Sequence, residues 1–143
     1  MKKIAVFFLI IIIIIVGMSY MYMNYKSNYY SAKKGNEQFS SYYNKEFKGT
    51  VIATLVNKAY DNNLTGNVER NEKGKFIEND TNSIKIDIKM LDTDKTYDME
   101  TLYSGGMDKF VKYYSQITFK CTKIEYHKST GKVKYMLIEQ VTQ

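Results

Sequence analysis

Two side chains in this sequence stand out as carriers of nucleophile and base chemistry: the single cysteine, Cys121, and the single histidine, His127. A thiolate–imidazole pair must come within hydrogen-bond reach, about 3 Å, to work. Both residues belong to a C-terminal segment with strand-like alternation. Six residues of extended chain hold two Cα atoms roughly 20 Å apart, so the pair cannot meet. Cys121 shares parity with Phe119 and reads as a small buried apolar residue. His127 falls at the tip of the hairpin, where exposure is expected. One cysteine also excludes a disulfide framework, a Cys-ligated zinc site and an iron–sulfur cluster. Phosphate-binding glycine loops and the HExxH and GxSxG signatures are absent. Gly105-Gly106 alone is a turn. The reading is non-catalytic.

The best remaining match to a chemical motif is Asp61, Asn63, Thr65, Asn67, Glu69 and Glu72. Their spacing resembles an EF-hand calcium loop, with side-chain oxygens at the ligand positions, Gly66 at the sharp turn and Glu72 at the closing position. It directly follows an amphipathic helical pattern. Thr65 is a poorer ligand than Asp or Asn, Lys73-Gly74-Lys75 is a poor exiting helix, and no second loop pairs with it. Calcium is therefore the one cofactor that the sequence raises; no other is expected. The acidic run Asp92, Asp94, Asp98 and Glu100 lacks the glycine and the closing Glu and reads as a solvated turn.

Charge is unevenly spread. The chain carries +6, yet residues 61–108 hold 6 basic and 11 acidic side chains, whereas residues 109–134 hold seven lysines and only Glu125. Alternation puts Lys120, Lys123, Lys132 and Lys134 on the solvent face of the C-terminal hairpin. A basic face of this kind suits anionic lipid head groups, an anionic envelope polymer or an acidic envelope protein. Lysines that guard a sheet edge against aggregation give the same pattern. Nucleic acid is not expected: Arg70 is the only arginine, and bidentate base and phosphate contacts lean on arginine. The 14 tyrosines, several in adjacent pairs, supply either contact surface or core.

These residues hang on an N-terminal anchor. Ile4 to Met23 is a run of 20 residues without a charge, including six consecutive isoleucines. As a helix it spans about 30 Å, the thickness of a bilayer's hydrocarbon core. It is apolar all round, with Ile4, Phe8, Ile12, Val16 and Tyr20 as successive membrane-spanning positions. Tyr20, Tyr22 and Tyr25 suit the membrane–water interface. A cleaved signal peptide competes with this reading, with Lys2 and Lys3 as its basic start and Gly17-Met18-Ser19 as its cleavage site. The preferred division is a cytoplasmic basic tail (1–3), a transmembrane signal anchor (4–23), a helical juxtamembrane stalk (24–48) and an exported domain (49–143). The positive-inside count is close to a tie; a short basic tail before a first apolar helix puts the remainder outside the cytoplasm.

Within the remainder, Ala32-Lys33-Lys34-Gly35 predicts a helix end, and Phe39, Tyr43 and Phe47 a second helical stretch capped by Asn36. Thr50 predicts the cap of an amphipathic helix bearing Ile52, Leu55, Val56 and Ala59. Residues 62–82 read as a loop or weak hairpin. Ile84–Met90 alternates as a half-buried strand. Asp98 starts a helical turn, and Met107–Tyr114 forms a helix after the glycine pair. The C-terminal hairpin is expected to bulge near Thr122-Lys123, to pair Tyr126 with Val133 and to set Ile124 opposite Tyr135. The expected fold class is α+β: a transmembrane helix, then helices on a three- to four-stranded antiparallel sheet. In outline this plan resembles pilin-like subunits, although the apolar run lacks their acidic residue. The functional expectation is a single-pass bacterial membrane protein with a binding or accessory role in a cell-envelope assembly, or else a secreted binding protein released after Ser19.

Overall fold

The computed structural model describes residues 2–91 and 94–141. Its elements are α1 (Lys2–Ser40), β1 (Glu46–Lys48), α2 (Gly49–Thr65), β2 (Lys85–Lys89), β3 (Thr96–Asp98), α3 (Met99–Tyr114), β4 (Thr118–Tyr126) and β5 (Val133–Gln140). The class is α+β, with one long apolar N-terminal helix.

The sheet corrects the sequence-based expectation in two ways. It has five strands, in the order β1-β4-β5-β2-β3, and it is mixed, because β2 runs parallel to β5. The connection from β2 to β5 passes through β3, α3 and β4, so no local turn announces the parallel pairing. β5 becomes the central strand, buried on its core side by Val133, Met136 and Ile138. The edge strands β1 and β3 have three residues each, too short to template pairing with another chain.

Helices α2 and α3 cover one face of the sheet. Ile52, Leu55, Val56 and Ala59 of α2 meet Ile86, Ile88, Met136 and Ile138 in the core, with Met99, Leu102 and Phe110 of α3 completing it. α2 starts one residue before the expected Thr50 cap, and Lys48 caps it without a side-chain bond. Gly49 explains the position: its N–H donates to Ile117 O at 3.0 Å, and a Cβ there would lie 2.0 Å from Tyr114 O. α3 is capped by Asp98, whose carboxylate accepts from the Thr101 N–H at 2.8 Å. It is broken at Gly106 (φ 95°), so the two helical pieces read from the sequence are joined across a kink.

The bulge at Thr122 and the Tyr126–Val133 pair are as expected, but a second irregularity at Lys134 sets Ile124 opposite Met136 and Glu125 opposite Tyr135. The expected helix break at Gly35 is absent. α1 continues to Ser40, and the chain then turns toward β1 through Asn44, which takes φ 57° and donates its N–H to Cys121 O at 2.9 Å. Phe47 accordingly lies in a strand, not on a helix.

The two glycines are a matched test. Gly35 has open space around its Cα, so Gly35→Ala should raise stability by up to about 1 kcal/mol through helix propensity. Gly49→Ala should lower it by about 2 kcal/mol or more, because backbone must move. Denaturant titration of both variants checks the pair.

Candidate functional site

The side chains singled out for chemistry are dispersed by the fold. Asp61, Asn63 and Thr65 lie in the last turns of α2, not in a loop. Asn63 is buried, and both ends of its carboxamide are used: Nδ2 donates to Ile84 O at 2.8 Å and Oδ1 accepts from Ile84 N at 2.8 Å. The Thr65 hydroxyl donates back to Asp61 O at 2.9 Å. Asn67 lies in the turn that ends α2, Glu69 in the irregular chain after it, and Glu72 in the turn enclosed by the Arg70–Phe76 bridge. The calcium loop is therefore corrected: a helix occupies its first half, and its second ligand position ties α2 to the strand entering β2. Among the described residues no group of three His, Cys, Asp or Glu side chains comes together to hold a metal ion.

Cys121 is fully buried, its thiol within 3.5 Å of Lys123 O, and burial pushes its pKa up from 9.0 to about 11. His127 corrects another expectation. It is 2% exposed, with Nε2 2.7 Å from Ser83 O and Nδ1 without a hydrogen-bond partner. A carbonyl only accepts, so Nε2 carries the proton. The ring pins the β4–β5 turn to the segment before β2 and is committed there.

The four lysines expected on one basic face divide. Lys120 sits between Glu46 of β1 and Glu139 of β5 in cross-strand register. Lys123 pairs with Glu125 at 2.6 Å, and Lys134 pairs with Glu78. On the same open face Lys85 meets Asp87 at 3.2 Å and Lys89 meets Glu139 at 3.7 Å. The acidic middle of the sequence thus folds beside its basic end, and the uncovered sheet face is a mixed array of both signs. Lys132 alone lies elsewhere, beside α1.

That leaves one end of the domain as the distinctive surface, where α1 meets the turn between β4 and β5. Ala32 and Phe39 of α1 are buried, and between them Asn36 donates from Nδ2 to Gly131 O at 2.7 Å and accepts at Oδ1 from Val133 N at 2.8 Å. A cavity of about 250 Å³ opens there, lined by Asn36, Asn62, Gly66, Asn82 and Lys132 among others. The facing loop is a hydrogen-bonded turn built on Asn79, whose Oδ1 accepts from the N–H groups of Thr81, Asn82 and Ser83. The Ser129 hydroxyl donates to Asp80 O, and that of Thr130 to Thr81 O at 2.6 Å. One turn further along α1, Tyr25, Asn28, Tyr29 and Ser31 face Ser129, Thr130 and Lys132 across a cleft of about 500 Å³.

Comparison of the chain with protein families, with curated proteins and with solved structures finds no match. The site must be read from its own geometry. Asn36 and the loop 79–83 were missed as site residues in the sequence. The available signal was the Asn79-Asp80-Thr81-Asn82 cluster, a turn composition that says nothing about what it packs against.

The buried thiol gives a direct check. A thiol raised to about 11 is about one part in a thousand thiolate at pH 8. Cys121 should therefore resist a disulfide reagent at pH 8 in the native protein and react fully once unfolded. Its pKa is higher in the folded state, so its contribution is intact below pH 9 and is lost as pH rises toward 11. Tyr135, raised from 10.0 to about 12 mainly by burial and then by Asp87, acts in the same direction. Stability should fall with alkali across that range, and a melt series at rising pH reads it.

Proposed function

We propose that this chain is a single-pass membrane protein whose exported, non-catalytic domain serves as a binding or accessory subunit of a cell-envelope assembly. The observation that carries the reading is the first half of α1. This helix is long and apolar enough to cross a membrane, and none of its apolar window is buried. Ile4, Phe8, Ile12 and Val16 are each more than half exposed. Twenty successive residues with no partner inside the fold call for a different solvent, and lipid supplies it without leaving any backbone group unsatisfied. The non-catalytic part rests on the site chemistry: Cys121 and His127 are each buried and separately engaged, and the carboxylates on the open sheet face are mostly paired with lysines. Membrane lipid, a second envelope protein or an anionic envelope polymer are the partners this reading implies; nucleic acid is not among them. The domain lies outside the cytoplasm in this account.

A secreted domain released after Ser19 is the second reading. Ala32, Asn36 and Phe39, which dock α1, all lie beyond that bond, so cleavage there removes nothing from the core. A pilin-like subunit remains a variant of the first reading.

Intact mass of the native protein in separated membrane and soluble fractions decides between them. The full-length mass in the membrane fraction, resistant to alkaline extraction, is the expected result. A mass beginning at Tyr20 in the soluble fraction would overturn the anchor.

A further inference from the structure

We infer that the turn joining β4 to β5 lies on the membrane surface and contacts anionic lipid head groups through Lys128 and Lys132, together with Lys26 of α1. The inference rests on the membrane-anchor reading and adds to it a surface and a partner.

The geometry follows from α1. Its apolar run ends at Met23, and Tyr25, two residues further on, already lines the cleft that holds Ser129 and Thr130. The cleft runs on along α1 through Asn28 and Tyr29 to Ser31, so at about 1.5 Å per residue its Ser129–Thr130 side faces helix residues about 3–12 Å beyond the edge of the hydrocarbon, and Asn36, which holds Gly131, lies about 20 Å beyond it. The head-group layer on each side of a bilayer is about 5–7 Å deep. The Ser129–Thr130 side of the turn therefore stands at or just above the head-group layer, and a tilt of α1 toward that side brings the flexible stems of Lys128 and Lys132 onto it.

The turn cannot swing away. His127 holds it to Ser83, Ser129 to Asp80, Thr130 to Thr81, and Asn36 holds Gly131 and Val133 to the helix. The docked helix and the turn form one body, so the turn moves only with the tilt of α1, and lipid contact acts by favouring the tilt that lays the turn on the head groups.

The charge at this level is one-sided. Residues 24–31, 79–83 and 127–132 are the three segments that meet here. They carry Lys26, Lys128 and Lys132 against a single carboxylate, Asp80. Lys26, Lys128 and Lys132 are exposed. The lysines of the open sheet face differ, since Lys85, Lys89, Lys123 and Lys134 all pair with carboxylates. Flexible ammonium stems beside tyrosine rings at head-group depth suit lipid phosphates, with no need to leave water.

The chain contains no tryptophan, so Tyr126→Trp, at an exposed ring of the same hairpin that takes no part in holding the turn, gives a unique emission beside it. The full chain carrying it is reconstituted in phosphatidylcholine vesicles, with or without one-third phosphatidylglycerol. Vesicle flotation is recorded first, then quenching by a lipid spin-labelled at its head group. Quenching should be stronger with phosphatidylglycerol and fall in about 0.5 M salt, where screening is short-ranged. Lys128→Gln with Lys132→Gln should lower the ratio of docked to undocked turn by roughly 25-fold, about fivefold per lysine. Lys128→Arg with Lys132→Arg should restore it. Equal quenching in both vesicle types, or no response to the glutamine pair, would overturn the lipid contact while leaving the anchor standing. Failure of the chain to float would overturn both.

Discussion

The carboxamide of Asn36 satisfies a carbonyl and an N–H of the β4–β5 segment at once, and the rest of the architecture depends on that contact. Val133 opens β5 and is buried, and Gly131 closes the turn just before it. Val133 is buried, so its N–H left without a partner would cost about 1–3 kcal/mol; one asparagine on the helix face offsets that cost and also holds the exposed Gly131 O. Ala32 and Phe39 lie about one turn to either side of it and bury the apolar part of the same face. A helix that would otherwise be a tether becomes part of the domain. Its first half, which has no contact with the fold, is then held in a fixed relation to the sheet.

The charges obey a similar economy. The acidic middle and the lysine-rich end of the sequence would each be a strongly charged surface alone. The parallel pairing of β2 with β5 and the antiparallel pairing of β4 with β5 interleave them instead. Lys85, Asp87, Lys123, Glu125 and Glu139 lie on one open face, where ion pairs contribute little individually but keep like charges apart. Asp98 adds a pair at the edge. Burial raises its pKa, but Lys75 at 2.5 Å and the Thr101 bonds outweigh this, and the net direction is down. Lys128 and Lys132, at the turn beside α1, lie outside this interleaved array.

Legibility in the sequence followed the range of the interactions. Alternation over Ile84–Met90, the periodicity of α2, the cap at Asp98 and the bulge at Thr122 are local signals, and the structure carries each of them. The parallel β2–β5 pair, the passage of α1 through Gly35 and the burial of His127 all depend on partners far along the chain. Gly35 reads as a stop because glycine after two lysines is a helix-end signal. The docking of Asn36 and Phe39 outweighs a propensity cost of about 1 kcal/mol. Asn63 misled for a related reason: an asparagine spaced like a calcium ligand is equally a buried amide that serves one backbone residue, Ile84. His127 was placed at a tip, and tips are exposed only when nothing folds over them; here the segment before β2 does.

Hydrogen exchange of the full chain in lipid shows whether α1 belongs to the domain as far down as Ala32. Amides of residues 33–40 should exchange as slowly as those of β4 and β5, opening only when the whole domain unfolds. Exchange of those amides at the rate of an isolated solvated helix, with β4 and β5 still protected, would contradict the account and make α1 a flexible tether.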